Sequence, residues 1–284
     1  MTGMQSPPTE RVGAEALLFA RDDLVAAAEF YRTHGYVGIL DVVDEATCNT
    51  VREAIERAAT VRERTTDPYF LRLDTDNSFN TSYRQYANLH EQDDILDGFV
   101  HSEDLGALAQ AIAGEQLAFL FSSMLEKNPF AGPLRAHHDL RQMPFDVSGM
   151  ITAWVALDDV DARNGCLYYL PGTHRMGVAR AKDSARESFG DSSIAYLRFY
   201  GEFDDVSPAF AEVRRGTLLL HSGMTIHGSG ANLSRTPRAA LAVSFVSAEA
   251  TCTNPTHPLL RDIPAGSRFA DDSRHVPAVR GEST

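Results

Sequence analysis

The hydrophobic period of the chain changes near Gly114, and this change limits the fold more than any other feature. Before Gly114, apolar residues recur at helical spacing in three stretches: 21–34, 44–61 and 94–113. Gly35 and Gly114 stand where the first and last of these helices would end, and Asp44 is a predicted N-cap for the second. A short apolar run at 36–40 predicts a strand between the first two helices. The front of the chain is therefore predicted to be mainly helical.

Beyond Gly114 the chain carries short runs rich in apolar and β-forming residues, separated by Gly, Pro, Asn and Asp. These runs cover 117–125, 150–157, 166–170, 217–221 and 239–246. Short strands with tight turns predict a sandwich or barrel, with the early helices packed against its outside. We therefore expect a mainly β fold with flanking helices, as one domain over 1–284. Its parts would be helical at about 15–113, strand-rich at about 115–250 and an irregular tail at about 251–284.

Two polar, irregular segments interrupt this pattern. The first, 65–88, contains scattered aromatic residues, which favours an ordered loop that faces a substrate. The second, 176–208, is predicted to cross the mouth of the barrel. Residues from these segments and from the region after Asp139 are candidates to line a substrate pocket, although packing explains each one singly: Phe79, Tyr83, Arg84, Tyr86, Gln142, Met143, Tyr196 and Phe199.

Charge and composition limit the kinds of molecule that the protein is expected to bind. The chain has 26 basic and 39 acidic residues, a formal charge of −13, which disfavours binding to nucleic acid or anionic membranes and favours a neutral or cationic small molecule. No run approaches the 18 apolar residues of a membrane span, and 1–12 lacks the apolar core of a signal peptide. The three scattered cysteines, without a C-x-x-C pair, fit a reducing compartment. We expect a cytoplasmic monomer or homodimer.

One histidine pattern suggests a metal site. In His137-His138-Asp139, strand alternation would point His137 and Asp139 to the same face, with His138 opposite. If the distant His227 joins them, two histidines and one carboxylate leave three positions open on an octahedral ion, as in non-haem Fe(II) oxygenases. Alone, H-x-D is a common chance triplet, and His221 and His227 are explained as a core and a turn histidine.

Arg238 occupies an unusual place at the head of the apolar run 239–246. On a strand it would share a face with Ala240, Ala242 and Ser244, whose small side chains leave room in front of its planar guanidinium. Such a group suits bidentate binding of a carboxylate, although an arginine considered singly is normally a surface charge.

Taken together, these residues resemble a known family. The segment 136–238 is similar to the phytanoyl-CoA dioxygenase family of Fe(II)- and 2-oxoglutarate-dependent oxygenases. Four pieces carry the match in the family's order: His137-His-Asp139-Leu, the stretch from Ala153-Trp154 through Asn164-Gly-Cys-Leu to Pro171-Gly-Thr-His174, His227-Gly-Ser229-Gly-Ala-Asn232, and Arg238. The match covers about a third of the chain, and the opening from Phe30 to Tyr36 agrees with it.

The resemblance implies a double-stranded β-helix, which is a cupin-like jelly roll, and a set of site residues. His137, Asp139 and His227 would bind iron. Arg238 and Ser229 would hold the distal carboxylate of 2-oxoglutarate, and its other end would chelate the iron. Trp154 would lie near this cosubstrate or serve as a core aromatic.

The sequence departs from the family's pattern in two places, neither of which is an implied iron or cosubstrate residue. His138 stands where many members have Gln, and Gln142-Met143 stand where an aromatic is common, which bears on the substrate. Related halogenases lack the carboxylate found here at Asp139, so its presence argues against halogenation.

The implied activity is oxidation of an unactivated C–H bond of a small molecule, most simply hydroxylation in specialised-metabolite biosynthesis, with O₂ consumed and 2-oxoglutarate converted to succinate and CO₂. The same cofactors could support desaturation, epimerisation, ring closure or oxidation to a ketone. An acyl-CoA hydroxylase would need a basic patch, for which Arg175, Arg180, Lys182 and Arg186 are candidates, although an exposed helix face explains them equally well. Two other classes are a zinc hydrolase, which needs a general base, and a non-catalytic jelly-roll binding protein, which needs no Arg238.

Overall fold

The computed structural model describes residues 17–63, 83–145, 149–177, 206–255 and 263–272. Its α-helices are α1 (Leu24–His34), α2 (Glu45–Glu63), α3 (Asp94–Val100) and α4 (Glu103–Ala113). Its strands are β1 (Leu18–Phe19), β2 (Tyr36–Ile39), β3 (Tyr83–Ala87), β4 (Leu117–Lys127), β5 (Leu134–His137), β6 (Met150–Ala156), β7 (Leu167–Tyr169), β8 (Ala209–Ala211), β9 (Leu218–Ser222), β10 (His227–Ser229) and β11 (Arg238–Ser247). Single 3₁₀ turns cover Leu89–Gln92, Asp139–Gln142, Thr173–Met176 and Phe269–Asp271.

The helix boundaries follow the signals in the sequence. Gly35 and Gly114 end α1 and α4 in the left-handed region, with φ of 88° and 73°, which glycine adopts at little cost. The Asp44 carboxylate accepts a hydrogen bond of 2.7 Å from the backbone N–H of Thr47, as an N-cap does. The stretch 94–113, which the sequence predicts as one or two helices, is two helices separated by His101 and Ser102.

The strands form two sheets that pack face to face. The large sheet has the order β1-β2-β9-β6-β11-β4-β3, and the small sheet has the order β5-β10-β7-β8. Within the ranges given above, all strand pairs are antiparallel except β1 with β2. Helices cover the other face of the large sheet. This arrangement confirms the jelly-roll core with flanking helices.

Alternation along β6 shows how the large sheet serves two cores. Ile151, Ala153 and Val155 pack in the cluster that includes the helices. Trp154 and Ala156 pack in a second cluster with small-sheet residues such as Tyr169. Successive side chains of a strand point to opposite faces, so a single apolar strand contributes to both cores. The face between the sheets is the one that positions the candidate site.

The predicted irregular segment 65–88 is wrong at its end, because 83–87 form β3, an edge strand paired with β4. Its polar sequence, Tyr-Arg-Gln-Tyr-Ala, hides this pairing, since an edge strand is held by backbone hydrogen bonds and tolerates charge. Phe79 lies outside the described residues, as do Tyr196, Phe199, Arg180, Lys182 and Arg186. Within the described ranges, no helix has the length and apolar character needed to cross a membrane.

Candidate metal centre and cosubstrate pocket

Two histidines are brought together by one strand pairing. His137 is the last residue of β5 and His227 is the first of β10, and the two are direct partners across the antiparallel ladder. Their ring centroids lie 4.4 Å apart. Residues ninety positions apart in the sequence thus share one end of the small sheet, on the face toward the large sheet.

Asp139 joins these histidines by a route that differs from the prediction. It does not continue the strand, because the chain leaves β5 after His137 and enters a 3₁₀ turn that begins at Asp139. The backbone N–H of Leu140 donates to the carbonyl of Gly223 at 2.8 Å, which anchors this turn to the loop after β9. His138 is buried and is not one of the three residues that converge.

The three side chains are close enough to share one metal ion. Asp139 Oδ1 lies 3.7 Å from Nε2 of His137 and 3.7 Å from Nε2 of His227. The ligand atoms that the three residues offer all lie within 4.8 Å of one another. Two imidazoles and a carboxylate are the ligand set of non-haem Fe(II) sites with open positions, so the donors present fit iron.

The ring of His227 is oriented for metal binding. Its Nδ1 lies 2.9 Å from the carbonyl of Thr225, so Nδ1 carries the proton and donates it, which leaves Nε2 as the lone-pair donor. Burial, reinforced by the neighbouring His221, lowers the pKa of His227 to about 4, and the opposing effect of Asp139 is smaller. His227 is therefore neutral at neutral pH, the form that binds metal.

The second oxygen of Asp139 is held by the large sheet. Thr152 Oγ1 donates to Oδ2 at 2.9 Å, and His221 Nε2 lies 3.3 Å from the same oxygen. Burial acts to raise the pKa of Asp139, but its interactions with His227, His221 and His137, which include the hydrogen bond from His221, outweigh burial and hold this pKa well below its usual range. Asp139 is therefore ionised, and Oδ1 faces the two histidines.

His221 was predicted only as a core histidine. It is buried, at 2% exposure, but it also bridges Asp139 and Tyr169, whose hydroxyl lies 3.4 Å from His221 Nδ1. The sequence did offer a signal for this role, because His221 ends the apolar run 217–221. A polar ring in such a buried run needs hydrogen-bond partners.

Arg238 lies on the inner face of the large sheet at the start of β11, with 1% exposure. Its Nη2 donates to the carbonyl of Gly165 at 2.8 Å, and its Cζ lies 5.3 Å from the centre of the Trp154 ring. Nε is buried without a hydrogen-bond partner in the part of the chain that the structure describes. A buried guanidinium with a donor to spare fits an anionic ligand.

Ser229 connects this pocket to the histidines. It follows His227 by two residues on β10, so both side chains are on the same face and about 7 Å apart along the strand. Ser229 is fully buried, and its Oγ lies 3.1 Å from Nζ of Lys127. Lys127 was not among the predicted site residues. The sequence offered one signal for it, because this lysine ends the apolar run of β4.

The residues predicted to line a substrate pocket lie in different parts of the structure. Arg84 forms an ion pair of 3.0 Å with Glu56 of α2, and Tyr86 packs in the helix-side core, so both face the helices. Tyr83 is the register partner of Lys127. Met143 packs in an apolar cluster with Leu140, Phe145 and Met224, and Gln142 ends the 3₁₀ turn that Asp139 begins.

A second group of histidine and carboxylate side chains lies on the helix side. The ligand atoms of His90, Asp97 and His101 are within 4.8 Å of one another. His101 Nδ1 is already bonded to the backbone carbonyl of Asp97 at 3.1 Å and lies 3.0 Å from its carboxylate, and both imidazoles pack against Phe119. These contacts account for the cluster as hydrogen bonding and ring packing at a helix end, and Glu103 of the His101-Ser-Glu103 triplet is not part of it.

Comparisons with known proteins identify the family of this chain. The model of the phytanoyl-CoA dioxygenase (PhyH) family matches residues 31–240, so this chain belongs to the PhyH family. Phytanoyl-CoA dioxygenase domain-containing protein 1 of Rattus norvegicus is 31% identical over 170 residues, which cover 59% of this chain and 58% of that protein. The matched region thus spans well under two thirds of that relative.

Two similar solved structures come from nogalamycin biosynthesis. The non-haem alpha-ketoglutarate-dependent epimerase SnoN has a TM-score of 0.72 and 22% identity, with 93% of this chain and 98% of that chain covered. The carbocyclase SnoK, of the same cofactor class, has a TM-score of 0.68 and 25% identity, with 96% of each chain covered. The fold of this chain is therefore the fold of these enzymes over nearly its whole length.

Proposed function

We propose that this protein is an Fe(II)- and 2-oxoglutarate-dependent dioxygenase that oxidises a C–H bond of a small molecule. The observation that carries the proposal is the pairing of two sites between the sheets: His137, Asp139 and His227 offer ligand atoms within 4.8 Å of one another, and Arg238 is buried on the facing sheet with a spare donor. The three side chains would hold the iron. When bound, iron and 2-oxoglutarate would supply O₂ activation coupled to decarboxylation of 2-oxoglutarate to succinate and CO₂.

The chain's own residues would bind and orient the cosubstrate. Arg238 and Ser229 would hold its distal carboxylate, and the position of Ser229 two residues from His227 suits a short dicarboxylate that reaches from the pocket to the metal. Thr152 and His221 would keep Asp139 in one orientation through its outer oxygen. Burial of the face between the sheets would exclude water from the reacting atoms.

The proposed substrate is a neutral or cationic small molecule, in line with the net charge of −13. Hydroxylation is the simplest outcome. Ring closure is the second candidate, because the carbocyclase SnoK aligns over 96% of this chain at 25% identity. The zinc-hydrolase and binding-protein alternatives leave the buried Arg238 and its spare donor unexplained.

Slow substrate-free turnover tests the proposal. Purified protein with Fe(II), 2-oxoglutarate and ¹⁸O₂ should form succinate that carries one ¹⁸O atom, and Asp139→Ala should abolish this product. Arg163→Met is the control, because Arg163 is an exposed arginine at the Asn164 turn and should behave as wild type. Absence of succinate in the wild type, or equal succinate without O₂, would contradict the proposal.

A further inference from the structure

Lys127 and Arg238 place two buried cations side by side. They are direct register partners on β4 and β11, with 0% and 1% exposure. Burying one charge is costly unless opposite charge or strong hydrogen bonds compensate, and a second like charge next to it adds to the cost. Three hydrogen bonds from Lys127 offset part of this cost, and negative charge beside the two cations would offset more of it.

Two of the three hydrogen bonds of Lys127 reach the end of the strand that carries His227. Its Nζ donates to the carbonyl of Gly132 at 3.0 Å, to Ser229 Oγ at 3.1 Å and to the carbonyl of Gly230. An ammonium group can only donate, so Ser229 Oγ is the acceptor in this bond and must direct its own proton elsewhere. Lys127 thus limits the directions in which Ser229 can donate.

The packing around Lys127 fixes this geometry. A Cβ atom built on Gly165 would lie 2.8 Å from Cδ of Lys127 and 2.7 Å from the carbonyl of Gly230. Gly165 also contacts Arg238, because its own carbonyl accepts the hydrogen bond from Arg238 Nη2. The lysine stem, the Gly165 turn and the arginine therefore form one closely packed unit, in which Lys127 has little room to point elsewhere.

We propose that Lys127 is a positioning residue for the cosubstrate: it orients the Ser229 hydroxyl and adds a second positive charge, so that the pocket with Arg238 selects a 2-oxo acid with a distal carboxylate. This inference rests on the proposed function. Burial, and then the Arg238 charge, lower the pKa of Lys127 to about 7, and an anion beside both cations would favour their charged forms. Lys127 and Ser229 act before any chemical step, by binding.

Ligand truncation separates this role from a structural one. Calorimetry under anaerobic conditions with Fe(II)-loaded protein compares 2-oxoglutarate with 2-oxopentanoate, which has the same chain length but no distal carboxylate. Lys127→Met should weaken 2-oxoglutarate binding roughly ten- to a hundredfold, the loss expected for a charged hydrogen bond, and should leave 2-oxopentanoate binding nearly unchanged. If Lys127 only supports the fold, both ligands should weaken by the same factor, which would overturn the inference.

Two further variants keep the test decisive. Leu125→Met alters the same face of β4 without changing charge, and should bind both ligands as wild type does. In a Ser229→Ala background, Lys127→Gln should cost less 2-oxoglutarate affinity than it does alone, because Lys127 acts partly through the hydroxyl. Strictly additive losses would refute this coupling. Failure of the wild type to bind 2-oxoglutarate would refute the proposed function itself, whereas normal binding by Lys127→Met, with loss in Arg238→Met, would refute the role of Lys127 alone.

Discussion

Replacing Arg238 by methionine tests the pocket most quantitatively. The guanidinium fork can donate two charge-assisted hydrogen bonds to a carboxylate, and each such bond contributes about 1.5–3 kcal/mol. At the lower value the pair contributes about 3 kcal/mol, and since each 1.4 kcal/mol is tenfold, Arg238→Met should weaken 2-oxoglutarate binding about 150-fold. The affinity for Fe(II) alone should stay close to that of wild type, because the ligand triad is on the other sheet and its turn.

The fold should survive this substitution. Methionine fills most of the space of the arginine stem against Trp154, and the main loss is the hydrogen bond of 2.8 Å to the Gly165 carbonyl, about 1 kcal/mol. That corresponds to a fall in Tm of about 2–4 °C for a domain of this size. Calorimetry and thermal unfolding measure the two effects, with Arg163→Met as the matched exposed control. Unchanged 2-oxoglutarate affinity in a folded Arg238→Met protein would refute the assignment of this pocket.

Other predictions concern the metal ligands and the small sheet. Thr152→Val should weaken Fe(II) binding about tenfold or more by releasing Asp139 Oδ2, with little change in Tm; equal affinity would contradict this role. The pKa of His227 is lowered from its ordinary value of 6.5 to about 4, so its contribution to the stability of the metal-free protein is present above pH 6.5 and is lost as the pH falls through 4. In His227→Gln, the midpoint of chemical denaturation should depend less on pH between 4 and 6.5 than it does in the wild type. The same pH dependence in both proteins would contradict the lowered pKa of His227. Gly228→Ala should lower Tm sharply, because the new Cβ would meet the Tyr168 hydroxyl and lie 2.7 Å from the Leu134 carbonyl. Gly98 lies in α3 with open space around it, so Gly98→Ala should instead raise the free energy of unfolding by about 0.5–1 kcal/mol. Similar melting curves for the two variants would contradict the difference in packing between the two glycines.

The sequence predicted those parts of the fold that depend on local pattern. Gly35, Asp44 and Gly114 mark helix ends because each supplies a backbone conformation or a cap that few residues provide. The long apolar strands β4, β6 and β11 were visible for a related reason: both of their faces are buried, which leaves a continuous apolar run. By contrast, β3 and β10 escaped prediction because short or polar strands are held by partners distant in the sequence.

The site could be anticipated only in part. Spacing and family resemblance brought His137, Asp139 and His227 into one hypothesis, and the structure places them together. The turn that carries Asp139 out of the strand depends on a hydrogen bond to Gly223, which no local pattern reveals. Likewise, the contact of Lys127 with Ser229 joins positions 102 residues apart and arises from sheet packing.

The most direct test of the whole account is anaerobic titration with Fe(II) and 2-oxoglutarate, followed by the visible charge-transfer band of the chelate. We expect a band in the wild type that saturates at one equivalent of each per chain, is absent in Asp139→Ala and needs far more 2-oxoglutarate in Arg238→Met. A wild-type protein that gives no band, and that shows no 2-oxoglutarate binding by calorimetry, would contradict the account and would favour a zinc enzyme or a binding protein instead.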